Sequence, residues 1–192
     1  MQIRFLFLLL LFPLIMGGCK RNTMETIPNG VLNIYVDYER QPGPGSNQWA
    51  VWIEDSVGTL VKTLFVTRFI ADGGYIPRPC TPLWVSKANP ESLSQEAIDA
   101  FAGATPLSGM QTYVLDLTGA DGNPVGAGTY TVRVEATIYG ANEVIYQTPV
   151  TIKCKKGWQI SPEPFYTSGD ETNRGMIRSV GVEYLLIDNP VR

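Results

Sequence analysis

Three thiols, eighteen carboxylates and no imidazole set the chemistry open to this 192-residue chain. Without histidine there is no Ser-His or Cys-His nucleophile pair, the commonest general base near neutral pH is missing, and most zinc sites are excluded. The acidic residues offer little more. Glu54 and Asp55 are adjacent, and neighbours on a strand point to opposite faces, so they cannot act as an acid/base pair without a bend. They read as a solvated strand end before a turn. Asp116, Asp121 and Asn123 could offer oxygens to Ca²⁺, but their spacing is that of turns and not of a calcium loop. Asp170, Glu171 and Arg174 read as a polar loop. No Gly-rich phosphate cradle is present. The expectation is a chain with no catalytic residue and no metal site.

The thiols differ in context. Cys19 follows the apolar run FLFLLLLFPLIM at residues 5–16, itself preceded by Arg4 and followed by Gly17-Gly18. Twelve helical residues rise ~18 Å, well short of the roughly 30 Å of bilayer hydrocarbon, so the run is a signal-peptide core and not a span. Residues 16–19 resemble a bacterial lipobox, in which the thiol of the first mature residue is acylated. This implies a signal peptide over 1–18, a lipidated tether over 19–29, and a folded body over 30–192 anchored to a membrane. The polar, basic start of the tether, Lys20-Arg21, favours the periplasmic side over the cell surface. Cys80 and Cys154 have two readings. In an oxidising compartment they could pair, closing a long loop and contributing roughly 4.5 kcal/mol in the chain-entropy model; otherwise they are two buried thiols.

The body reads as strands. Leu32, Ile34, Val36 and Tyr38 alternate with polar residues, the period-2 pattern of a half-buried strand. Gln48–Glu54, Leu60–Phe69, Gln111–Leu117, Thr129–Tyr139, Glu143–Lys153 and Met176–Ile187 follow. In Thr129–Tyr139 the residues Tyr130, Val132, Val134, Ala136 and Ile138 are expected inward, with Thr131, Arg133, Glu135 and Thr137 toward water. The last strand is apolar on both faces, which favours a central or inter-layer position. Gly73–Pro82, holding Cys80, reads as a proline-rich loop. Ser92-Leu-Ser-Gln95 has capping-box spacing and predicts a short helix over about 93–102. Seven or so strands and one short helix make a mainly β fold, an immunoglobulin-like β-sandwich.

Two segments carry a family resemblance. One is Trp49-Ala-Val-Trp52-Ile-Glu54-Asp55 with Gly58 and Val61–Leu64. The other is Asp99–Pro106 with Asp116, Asp121-Gly122-Asn-Pro-Val125 and Gly128–Glu135. The stretch from Asp121 to Glu135 alone resembles the immunoglobulin-like domain of flagellar hook-capping proteins, and together the two segments resemble the DUF2271 family of predicted periplasmic proteins. Within the second segment, Asp99-Ala-Phe-Ala-Gly103-Ala-Thr105 is similar to the Asp-x-x-[Ser/Thr]-Gly-Ala-Thr sequence of proteins carrying covalent FMN. That similarity implies Thr105 as the attachment hydroxyl, Gly103 as a small neighbour allowing approach, and Asp99 as a recognition carboxylate. Ala102 departs from the pattern, standing where a hydroxyl residue is expected. Read without the resemblance, the same stretch is the end of a helix with Gly103 as its stop.

With a formal net charge of −3 the chain carries no electrostatic footprint for nucleic acid. The expected function is a lipid-anchored, non-catalytic accessory module of the envelope, bound to a membrane and to an envelope protein partner, in association with flavin-dependent redox systems. Two alternatives stand beside it: an electron-transfer protein with FMN on Thr105, and a glycan-binding or adhesive module whose tryptophans Trp49, Trp84 and Trp158 stack on sugars.

Overall fold

The computed structural model describes residues 29–43, 47–76, 79–138, 143–153, 157–166 and 174–187. Cys19, with the signal segment and most of the tether, and Cys154 lie outside them.

Strict alternation in the first strand, β1 (Gly30–Tyr38), places Leu32, Ile34, Val36 and Tyr38 fully in the interior. Its neighbours in one sheet are β5 (Gly109–Leu115) and β10 (Ile177–Leu186), with β8 (Trp158–Ile160) outermost, in the order β5-β1-β10-β8. The second sheet runs β4-β3-β2-β6-β7-β9, formed by β2 (Gln48–Glu54), β3 (Leu60–Thr67), β4 (Ala102–Gly103), β6 (Gly128–Thr137), β7 (Glu143–Ile152) and β9 (Pro164–Tyr166). All described pairings are antiparallel except β3 with β4. The sheets pack face to face over Trp49, Val51, Ile53, Val132 and Val134 from one side and the β1 and β10 residues from the other. Each fully buried Leu, Ile or Val there contributes about 1.5–3 kcal/mol.

The expected β-sandwich is present. Strand number exceeds the expected seven because three short edge strands, β4, β8 and β9, are too brief to show a period in the sequence. The last strand is central in its sheet, as one of the two expected positions had it, but not between layers, since Leu185 and Ile187 on its other face are exposed. Among the described residues two α-helices occur in place of one: α1 (Pro82–Ala88) and α2 (Gln95–Asp99). The predicted helix over 93–102 contracts to α2, and its cap is Ser94, whose Oγ accepts the Ala97 N–H at 3.2 Å. Helix α1 starts where a loop was expected. Pro82 opens it at a position where a missing N–H costs nothing.

Both helices belong to the segment between β3 and β4, which lies across the outer face of the larger sheet. There Ile70, Cys80, Trp84 and Ile98 form a second core on Ala50, Trp52 and Val66. This covering corrects the reading of β6. Glu135 and Thr137, expected in water, are fully buried. Every residue of β2 is buried for the same reason.

Candidate functional site

The Asp99–Thr105 stretch leaves α2, makes the two-residue β4, and crosses toward β5 at the sandwich rim. Asp99 does not reach Thr105. Its Oδ1 accepts from Arg68 Nη1 at 2.5 Å and from Gln95 Nε2 at 3.0 Å. The Arg68 bond, then the Gln95 bond, holds its carboxyl below the usual range. Arg68 Nη2 also donates to the Ala102 carbonyl at 3.2 Å, so one guanidinium ties the helix end to β4. Gly103 is small for an internal reason: an added Cβ would lie 2.9 Å from Cε2 of Phe65. Ala104 is exposed, while Thr105 is half-buried, its Oγ1 donating to the Asn47 carbonyl at 3.3 Å.

Aromatic rings gather beneath this loop. Tyr38 stacks on Trp49 at 5.6 Å and 14°, and Trp49 meets Phe65 at 5.0 Å and Tyr113 at 5.5 Å. Tyr38 Oη and Trp49 Nε1 are buried and have no hydrogen-bond partner among the described residues. The rings belong to the inter-sheet core; Tyr113, half-buried, is the one nearest the surface, and burial pushes its phenol well up.

The second polar cluster lies under α1, where sequence reasoning saw only solvent-facing residues. Glu135 Oε1 accepts the Leu83 N–H at 2.9 Å and Oε2 the Trp84 N–H at 2.7 Å, so a strand carboxyl caps the first turn of a helix fifty positions earlier in the chain. Burial raises its pKa above the ordinary carboxylate range, and Glu143 beside it adds to the rise. The backbone of Thr81, held left-handed at φ 44°, donates to Thr137 Oγ1 at 3.2 Å. Trp84 Nε1 donates to Thr63 Oγ1 at 3.1 Å, and Thr67 donates to Gln48.

Glu54, expected at a solvated strand end, is buried between Trp52, Arg133 and Lys87. Asp55 behaves as expected of a turn residue, its Oδ1 accepting the N–H groups of Val57 and Thr59. Asp116 and Asp121 likewise close turns onto Thr118 and Asn123. Among the described residues no group of His, Cys, Asp and Glu side chains could hold a metal ion.

Of the tryptophans named for sugar stacking, Trp49 and Trp84 are fully buried, and half-buried Trp158 lies beside Tyr184 with its Nε1 bonded to the Thr151 carbonyl. Cys80 is buried in the second core; Cys154 lies outside the described residues, so their pairing is not described. A cleft of about 550 Å³ opens between the smaller sheet and residues 161–166, lined by Tyr35, Gly181, Tyr166 and Arg178. The Arg178 guanidinium is already engaged, bidentate on Asp37 at 2.7 and 3.0 Å and 3.1 Å from Glu39.

No curated protein and no solved structure matches the chain. A family model does, over residues 33–166, which takes in the aromatic cluster, the Asp99–Thr105 loop, the buried carboxylates and every strand from β2 to β9. Its description is "predicted periplasmic protein (DUF2271)", and the chain belongs to that family.

Proposed function

We propose that this chain is a lipid-anchored module of the periplasmic envelope that binds another envelope protein and makes or breaks no bonds unaided. One observation carries the reading: the carboxylates singled out for acid/base work are already engaged by cations, backbone N–H groups or an indole, two of them, Glu54 and Glu135, in the interior. Glu54 faces Arg133, Glu135 caps α1, Asp55 closes a turn, and Asp37 and Asp99 face arginines. What the described surface offers instead is apolar contact area, with Phe69, Ile76, Leu107, Met110, Val114 and Phe165 each more than half exposed. Such side chains serve recognition, not proton transfer. Anchoring would come from acyl chains on Cys19, each contributing ~0.8 kcal/mol per buried CH₂. Incubating the purified chain with ester, peptide, glycoside and reduced-flavin substrates tests the reading; turnover without any added protein would sink it.

A second reading has its own support. The loop at Ala104 is exposed and side-chain-poor, and the clasp of Arg68 on Asp99 and Ala102 fixes it against β3. Those features suit transfer of the FMN phosphoryl group from FAD to the Thr105 hydroxyl by a flavin transferase, the Thr O–P bond forming as the pyrophosphate breaks, AMP leaving and the hydroxyl proton passing to solvent, which would make the chain a redox carrier. The flavin would supply electron transfer, while this chain supplies the hydroxyl and a rigid loop. Attachment requires Thr105 to release the Asn47 carbonyl. In-gel fluorescence after co-expression with a flavin transferase decides it.

A further inference from the structure

We propose that two copies of this chain pair through the open edges of β5, giving one antiparallel eight-stranded sheet with a two-fold axis at Thr112. β5 ends the smaller sheet and presents one row of backbone N–H and C=O groups away from β1. Proteins normally blunt such an edge with charge, proline, a bulge or brevity. β5 has none of these. Its seven residues, GMQTYVL, carry no charge and no proline, and its register with β1 is unbroken from Leu32↔Leu115 to Tyr38↔Gly109. The other described edges are blunted: β4 has two residues, β8 has three and is followed by Pro162, and β9 has three and begins with Pro164.

The occupant follows from the order of side chains along β5. Met110, Thr112 and Val114 all point outward and are exposed, and they are spaced symmetrically about Thr112. Antiparallel pairing about that residue sets Thr112 opposite its own copy and Met110 opposite Val114 of the second copy, twice. Those are favourable cross-strand pairs, and no like charges meet. Because each chain has a single long open edge among its described strands, the pairing uses both and closes as a dimer, not a filament. The membrane end is also satisfied. The two-fold axis puts the two Asn29 residues at opposite ends of the β5 pair, each strand being ~23 Å long. A tether over 19–28 spans up to ~33 Å, enough for both to return to one membrane.

The test is register-specific and uses the full-length chain in its own membrane or in detergent. Under mild oxidation Thr112→Cys is expected to form a disulfide-linked dimer, since directly opposed antiparallel residues lie ~4.5–5.5 Å apart at Cα, within disulfide range. Gln111→Cys, opposite Tyr113 of the second copy, is expected to stay uncrosslinked. Thr112→Lys places two ammonium groups face to face and is expected to shift the protein from dimer to monomer by light scattering while the strand signal in circular dichroism is kept, and to remove the concentration dependence of the melting temperature that association gives the wild type. A monomeric wild type with no Thr112→Cys crosslink overturns the proposal, as does crosslinking at Gln111 equal to that at Thr112.

Discussion

Arg133 Nε lies 2.9 Å from Oε2 of Glu54, a carboxylate only 1% exposed, on neighbouring strands of the larger sheet. The contact is an ion pair and not an aligned hydrogen bond, since Nε meets no acceptor at good angle while Nη1 donates to Gln147 at 2.5 Å. Glu54 Oε1 takes the Trp52 indole N–H at 2.9 Å, with Lys87 3.9 Å away.

Removing one side of this set strands the others. Glu54→Ala is expected to cost about 1–3 kcal/mol by urea denaturation, because it leaves the buried Trp52 indole donor without its acceptor and the half-buried Arg133 and Lys87 without their carboxylate. Glu54→Ala combined with Arg133→Met should recover much of that loss. A single-variant cost below about 1 kcal/mol would mean the pair is solvated in practice.

Glu135 makes a pH prediction. Burial, then Glu143, raises its pKa from 4.5 to about 9, outweighing the opposing Leu83 and Trp84 bonds. The fold therefore keeps a proton that the unfolded chain has released. Its contribution is complete below about pH 4.5 and declines as pH climbs toward about 9. Measured against Glu135→Gln, in which Asp99, Asp116 and Asp121 titrate as before, wild-type stability should fall through that window by up to ~1.4 kcal/mol per pH unit. A difference independent of pH would show that the carboxyl is ionised in the fold.

Gly103 and Thr105 separate architecture from attachment. Gly103→Ala presses a methyl onto Phe65 and should lower stability by about 1–3 kcal/mol whether or not flavin is bound. Thr105→Ala loses one long hydrogen bond to Asn47 and should cost no more than about 1 kcal/mol. If the loop carries FMN, Thr105→Ala alone abolishes covalent fluorescence; retained fluorescence assigns the flavin elsewhere.

Cys19→Ala should move the protein from the membrane pellet to the soluble fraction and end incorporation of an alkyne-tagged fatty acid. Continued pelleting of that variant would point to an anchor other than the acyl chain.

Alternation was legible wherever one sheet face meets solvent. β1 shows this directly, its four inward residues standing at every second position. It misled on β6, where Glu135 and Thr137 have a surface composition but are covered by a segment more than thirty residues distant. Nothing local announces such covering. Helix α1 was missed because Pro77, Pro79 and Pro82 read as a loop, and its stabilising acceptor, Glu135, comes from another strand. Within the Asp99–Thr105 loop the residue types were visible, yet the reason for Gly103, a ring edge from Phe65, is a tertiary fact.

The first strand finds its place between the last strand and β5, with Gly30 set against Leu186 and Leu32 against Leu115. A ribosome or an export channel delivers residue 30 long before residue 186. Until the tail arrives, β1 lacks one of its two neighbours and the smaller sheet has no middle. A chain wired this way stays open during transit and gains its full cooperativity only on completion, since contacts of such sequence separation close late. Truncation even a few residues into β10 would therefore unravel the beginning of the molecule along with its end.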